Sequence, residues 1–304
     1  MQRPHPLAPG DRVAIAAPAA SIDAEVLEHT VKMVSSLGFK IQVAKNLLSR
    51  QDRYLAGSDR ERAAELHKYF EDKRIKGVFC IRGGYGSSRI IPLLKKKSFQ
   101  QHPKIFLGYS DITSLHLFFN QHCHFVTIYG PHPFELSDVS EIEKTLFQQM
   151  VTTLDPIGEL SFDQILPLSR GKARGRLVGG CLTLVASSLG TPYEIDTTGK
   201  ILFLEDYDEA PYKVDRMLTQ LKNAGKFKKV KGIIFGGMVN CDDVEYHYTW
   251  QEVVKSVLAD YSFPIMTEFP AGHGDGKISL PLGTRIEMNT ERKSVIFLEA
   301  ATKE

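Results

Sequence analysis

The stretch Lys104 to Asn120, KIFLGYSDITSLHLFFN, constrains this chain more than any other. Ile105, Phe106 and Leu107 form an apolar run of strand character that breaks at Gly108. After Ser110 the apolar residues Ile112, Leu115 and Phe119 switch to helical spacing. A strand that turns directly into a helix belongs to an α/β fold and leaves Ser110 on the tight turn between them. There the hydroxyl is lifted clear of the sheet edge, and the first free amides of the helix, beginning at Asp111, point at whatever the hydroxyl attacks. A nucleophile elbow has this geometry. The familiar G-x-S-x-G spelling is absent, because Ile112 replaces the second glycine. On its own, a serine opening a helix is most simply a cap, so a functional reading needs partners.

The rest of the N-terminal half repeats the strand-then-helix order. Val13 to Ala17 is a β-prone run ending at Pro18, and Leu27, Val31, Val34 and Leu37 share one helical face over residues 24–37. Phe39 to Val43 resumes alternation. Ser58 and Glu61 have the spacing of a capping box and open a helix striped by Ala63, Leu66, Tyr69 and Phe70. The apolar strand Gly77 to Ile81 then runs into Arg82-Gly83-Gly84-Tyr85-Gly86, a glycine-rich turn at which a ligand could approach exposed backbone amides. Its spacing is not the dinucleotide fingerprint. A further strand runs from Phe125 to Tyr129. This order predicts a mainly parallel sheet with helices on both faces and ligands at the carboxyl ends of its strands, where Ser110 and the Gly83-Gly84 turn both lie.

The pattern weakens between Leu136 and Gly175. We expect an N-terminal domain over residues 1–140, a connection over 141–172 and a C-terminal domain over 173–304. The last holds ILFLEDYDEAPYKVDRMLTQL, a strand followed by a helix, the buried strand KGIIFGGM, and two closing strands, making a smaller mixed α/β domain.

Composition narrows the function. The chain has 304 residues with 42% hydrophobic content, enough for buried cores. Its 38 basic and 36 acidic residues nearly cancel, to a formal charge of +2, and no long run of one sign would draw a nucleic acid or an anionic membrane. The start has no apolar h-region and no stretch is long enough to span a bilayer, so we expect a cytoplasmic protein. Cys80, Cys123, Cys181 and Cys241 are scattered, without zinc or redox spacing, and read as buried thiols.

Two further groups complete a chemical set with Ser110. Glu205 ends the apolar run Ile201 to Leu204; beside Asp206, Asp208 and Glu209 it could instead belong to a solvated turn. His273 lies between Gly272 and Gly274, which leave an imidazole free to be placed by its partners. Serine hydroxyl, imidazole base and orienting carboxylate are the roles of a catalytic triad, recognised by role and not by chain order. His116, His132 and His247 are the rival bases, with His132 held in reserve because it follows a strand end.

The segments RYLAGSDRERAAEL, CIRGGYGSSRII, LGYSDIT, LFLEDYDEAPYKVDRML and PAGHGDGKISLPLG stand in the order and spacing of the LD-carboxypeptidase family, the muramoyltetrapeptide carboxypeptidases of bacterial murein recycling. The chain resembles that family over nearly its whole length. The resemblance implies a Rossmann-like N-terminal domain, a smaller C-terminal domain with a cleft between the two, a homodimer, and no metal or cofactor. It puts the nucleophile on Ser110, the carboxylate on Glu205 and the general base on His273, with oxyanion donors at the amide of Asp111 and in the Gly83-Gly84 turn. An exopeptidase must also hold the free carboxylate of its substrate, for which Arg82 is the candidate guanidinium.

Two departures from the family pattern stand out. Gly179-Gly180-Cys181-Leu182 replaces the usual Gly-Gly-Asn-Leu, and Tyr129-Gly130-Pro131 replaces His-Gly-Pro, with histidine displaced to His132. The competing readings are a triad acting on peptidyl-nucleotide antibiotics, as in microcin self-immunity, with Trp250 as a base-stacking candidate; a non-catalytic two-domain binder of small ligands; and a nucleotide-binding enzyme, weakened by the missing fingerprint.

Overall fold

A computed structural model of the chain describes residues 1–44, 47–48 and 54–304. Two compact units emerge. The first comprises Met1–Asp155, Ser279–Pro281 and Ala300–Glu304; the second, smaller one comprises Pro156–Ile278 and Leu282–Glu299.

The first unit contains β1 (Arg12–Ala16), α1 (Ala24–Ser36), β2 (Lys40–Val43), α2 (Asp59–Glu71), β3 (Ile75–Cys80), α3 (Ser87–Ile90), α4 (Lys96–Gln101), β4 (Ile105–Gly108), α5 (Thr113–Phe118), β5 (Thr127–Tyr129) and α6 (Glu141–Thr152). Its sheet runs β2-β1-β3-β4-β5, with these neighbours parallel, as the repeated strand-then-helix pattern predicts. Because β1 lies between β2 and β3, this is a doubly wound order with its switch point at β1/β3. The Gly83-Gly84 turn leaves the carboxyl end of β3, and Ser110 leaves that of β4. The capping box of Ser58 and Glu61 starts α2, in which Ala63, Leu66, Tyr69 and Phe70 are buried. Arg53, the first residue of that family segment, lies outside the described residues. Phe70, Phe99, Phe106, Phe119 and Phe125 pack with ring centroids 4.8 to 6.3 Å apart. Each buried ring contributes roughly 1.5–3 kcal/mol of transfer free energy to that core.

The second unit holds β6 (Gly158–Ser161), β7 (Leu166–Ser169), β8 (Lys172–Cys181), α7 (Leu182–Ser187), β9 (Ile201–Tyr207), α8 (Pro211–Asn223), β10 (Gly232–Val239), α9 (Trp250–Val257) and β11 (Ile265–Thr267). β12 (Leu280–Leu282) then pairs beside β5 at the edge of the first sheet, before β13 (Arg285–Asn289) and β14 (Ser294–Phe297) return to the second. The second sheet runs β6-β14-β13-β8-β9-β10-β11-β7, with β8 to β11 parallel and the flanking pairs antiparallel. It is the mixed α/β domain expected.

Residues 141–172, read from sequence as a connection, are built into the fold. α6 belongs to the first unit, and β6 and β7 form the two edges of the second sheet. Edge strands keep one rim in solvent and need no continuous apolar run, so the half-exposed pattern of Gly158–Ser161 gives little sequence signal.

Candidate active site

In the first unit the elbow forms as the sequence suggests, with a different helical start. Ser110–Ile112 make one 3₁₀ turn, and α5 follows from Thr113. Ser110 is not a cap: neither helical segment has a side-chain cap hydrogen bond, and Ser110 has φ +60°. A left-handed backbone at a non-glycine residue costs about 1–2 kcal/mol and persists only where its surroundings enforce it. One enforcing contact is the Ser110 N–H, which donates to the Tyr129 hydroxyl at 3.1 Å. The unusual spelling also has a physical reason. A Cβ on Gly108 would come within 2.9 Å of Ile112 Cγ2, so Ile112 folds back over Gly108 and supplies the bulk of the turn.

The Gly83-Gly84 turn lies against this serine. A Cβ added to Gly83 would stand 3.1 Å from Ser110 Cβ, 3.3 Å from Ser110 Oγ and 3.3 Å from the Asp111 nitrogen. Gly84 has φ +87°, open to glycine at little steric cost. The structure thus brings together Ser110, the Asp111 amide and the glycine turn, the three parts read from sequence for this half. Arg82 is exposed, and its guanidinium donates to Ser21 O at 3.1 Å.

Two of the rival histidines, His116 and His132, serve structure. His116 is fully buried between Gly108 O and Thr127 Oγ1, each at 2.8 Å, and burial pulls its pKa down to about 4. His132 is buried, bonded through Nδ1 to Cys80 O at 3.0 Å and packed on the Tyr109 ring. His247 is exposed on the segment that precedes α9.

In the second unit Glu205 differs from the solvated-turn alternative. It lies inside β9 and is completely buried. Its Oε2 accepts from His273 Nδ1 at 2.6 Å and from the His273 backbone N–H at 2.8 Å. An Nδ1 that donates to a carboxylate leaves Nε2 as the basic nitrogen. Burial lowers the imidazole pKa, but the hydrogen bond and charge of Glu205 outweigh it and hold the pKa above the ordinary histidine value. The Tyr207 ring lies 5.3 Å from that of His273.

Several residues around this pair were not recognised from sequence. Gly236 and Gly237 interrupt the register of β10, and the loop carrying His273 lies directly on them. A Cβ on Gly237 would fall 1.7 Å from His273 O, and one on Gly236 would fall 2.3 Å from Ala271 O. Paired glycines inside an apolar strand were the available signal, since such a pair marks close backbone approach. Asp206, grouped with the acidic turn by sequence, is buried and accepts from Thr183 N–H at 2.8 Å, Thr183 Oγ1 at 2.9 Å and Tyr207 N–H at 2.9 Å. Cys181 is the register partner of Glu205 on β8, and its thiol lies 3.5 Å from Asp206 Oδ1. All four cysteines are buried, and none is in a disulfide. Trp250 is buried against Phe235 and presents no face to stack a base.

Among the described residues no group of His, Cys, Asp and Glu could hold a metal ion, and no helix is long and apolar enough to cross a membrane.

A doubly wound first unit with a strained serine at a strand end, and a second unit with a buried carboxylate-imidazole pair, define an α/β protein carrying the components that serine hydrolases use. Comparison with known proteins gives the family. The profile of the LD-carboxypeptidase N-terminal domain matches residues 13–130, and that of the C-terminal domain matches residues 174–288. A probable murein peptide carboxypeptidase of Bacillus subtilis (strain 168) is 38% identical over 99% of this chain and 96% of its own. Among solved structures, the muramoyltetrapeptide carboxypeptidase from Oxalobacter formigenes superposes with a TM-score of 0.82 at 27% identity, covering 94% of this chain and 97% of that one. An MccF-like protein from Bacillus anthracis str. Ames gives 0.88 at 28% identity, covering 97% and 99%. The chain belongs to the LD-carboxypeptidase family.

Proposed function

We propose that this chain is a serine-type LD-carboxypeptidase that cleaves the L,D-amide bond to the terminal D-alanine of murein tetrapeptides, acting in the cytoplasm as a homodimer in cell-wall recycling. The substrate class follows the names of the Bacillus and Oxalobacter relatives. The observation that carries the chemistry is the φ of +60° at Ser110, an enforced strain that a capping or packing serine does not need.

In the proposed reaction, Ser110 Oγ attacks the carbonyl of the L-linked residue while His273 Nε2 takes the hydroxyl proton. Glu205 keeps the imidazole in its tautomer and stabilises the imidazolium. The negative oxygen is held by the amides of Asp111 and the Gly83-Gly84 turn. His273 then protonates the departing amine of D-alanine. Water, deprotonated by the same nitrogen, attacks the acyl ester, and the proton returns to Ser110 as the shortened peptide leaves. Arg82 is assigned to the terminal carboxylate of the substrate. The scheme uses no metal or cofactor.

The test is D-alanine release from a murein tetrapeptide by the wild-type chain and by Ser110→Ala. We expect release by the wild type and a loss of at least about a thousandfold in the variant. Near wild-type release by Ser110→Ala overturns the proposal. Hydrolysis of a peptidyl adenylate in preference to the tetrapeptide would keep the triad and change the substrate. Labelling of Ser110 by a fluorophosphonate argues against a non-catalytic binder.

A further inference from the structure

The peptide of Gly86 is held from both sides. Its N–H donates to Asp111 Oδ1 at 3.2 Å, and the next N–H, of Ser87, donates to Asp111 Oδ2 at 2.8 Å. The carbonyl of Gly86 accepts from Arg62 Nη1 at 2.8 Å. The same guanidinium donates to Pro18 O beyond β1, to Gly57 O at 3.3 Å, and to Asp59 at the start of α2. Arg62 and Asp111 are each only 1% exposed. Gly83 is tied into this assembly from the other end, its carbonyl accepting from Ala20 N–H at 3.2 Å.

A buried guanidinium is a poor way to gain stability, because desolvation offsets most of what its contacts return. Its advantage is geometric. A planar fork with five donors can grip several carbonyls at fixed angles, which an ammonium cannot. Here the gripped carbonyls belong to Gly86 of the glycine turn, to the segment after β1 that bonds Gly83, and to Gly57 just before α2. The opposing carboxylate belongs to the elbow itself, one residue after Ser110. Gly86 has φ +130°, and a Cβ on it would lie 2.5 Å from Leu55 Cδ2 and 3.2 Å from Arg62 Nη1, so the approach requires glycine.

We propose that Arg62 and the Asp111 side chain are positioning residues, a clamp that fixes the glycine turn against the elbow and thereby sets the spacing between the two groups of oxyanion donors. The inference rests on the oxyanion roles assigned above to the Asp111 amide and the Gly83-Gly84 turn. Neither side chain touches substrate. The clamp acts through the backbone that does, so its loss raises the barrier of the chemical step and leaves ground-state binding nearly unchanged.

The experiment compares wild type, Arg62→Lys and Asp111→Asn. Active sites are counted by end-point fluorophosphonate labelling, and kcat and KM for D-alanine release are expressed per labelled site. We expect kcat to fall about tenfold to a hundredfold in each variant, with KM within about twofold, and the labelling rate constant to fall in parallel. A purely structural role lowers the melting temperature and the labelled fraction but leaves kcat per labelled site within twofold of wild type, and that result overturns the clamp. If Arg62→Lys does not fold, the isosteric Asp111→Asn decides by the same criteria. Failure of the wild type to release D-alanine would sink the substrate assignment alone, and the labelling rates would still decide the clamp.

Discussion

Oε2 of Glu205 receives two hydrogen bonds from one residue, from the backbone N–H of His273 at 2.8 Å and from its Nδ1 at 2.6 Å. The backbone bond fixes where the loop sits, and the side-chain bond fixes how the ring is turned. A single buried carboxylate oxygen therefore sets both the position and the tautomer of the imidazole.

That arrangement predicts a pH profile. Only neutral His273 can accept a proton, and Glu205 raises its pKa above 6.5 despite burial. The acid limb of kcat/KM is therefore expected above 6.5 in the wild type. In Glu205→Gln the charge is gone while burial remains, so the limb moves downward and kcat falls by about a thousandfold or more. The same pair affects stability with a defined sign. A histidine pKa raised on folding stabilises fully below the unfolded value of 6.5, and this contribution is lost as pH rises through the folded value. pH-rate profiles and melting curves of the two proteins check both statements, and an unmoved limb in Glu205→Gln would contradict the first.

Gly272→Ala tests the carboxylate seat. The added Cβ would meet Glu205 Cγ at 2.5 Å and Oε2 at 2.6 Å, at a backbone φ of +92°. We expect a loss of about 2–4 kcal/mol in unfolding free energy, since strain and overpacking act together. The residual folded protein should show a lower kcat, because Glu205 can no longer hold both His273 bonds. Denaturant titration with wild-type stability would show that the seat is not as tight as described.

Ser110 gives a stability contrast between two substitutions. Alanine inherits the strain of φ +60°, whereas glycine adopts it freely. Ser110→Gly is expected to be more stable than Ser110→Ala by about 1 kcal/mol, although both lose D-alanine release. Thermal or urea unfolding in which alanine is equal or better would place the origin of the positive φ elsewhere.

Asp206 supplies a second pH-dependent term. Burial, with the neighbouring Glu205 charge, pushes its pKa up to about 6 from 3.8, against the hydrogen bonds from Tyr207 and Thr183. A carboxyl raised on folding stabilises fully below the unfolded value of 3.8, and that stabilisation is lost as pH rises through about 6. Asp206→Asn should abolish this slope of melting temperature between those values. It should also lower overall stability, because the amide can accept only part of the Thr183 and Tyr207 hydrogen bonds. A slope unchanged in the variant would assign it to another group.

The sequence by itself determined what depends on neighbours along the chain. The alternation of strand and helix, the Ser58 capping box, the turn at Ser110 and the glycine turn after β3 are all written in residues a few positions apart, where periodicity and backbone freedom act. Only the tertiary structure decided what depends on groups brought together from far along the chain. Glu205 and His273 are 68 residues apart, so nothing local distinguishes a buried carboxylate that holds an imidazole from an acidic turn in solvent. The same holds for the Gly236-Gly237 bulge beneath His273 and for the return of β12 to the first sheet. It holds equally for Arg62, whose helical position looks like any solvated face until the carbonyls of Pro18, Gly57 and Gly86 close around it. Local patterns fix which backbone conformations are cheap; burial and hydrogen-bond partners, which set the chemistry, exist only once the chain has folded.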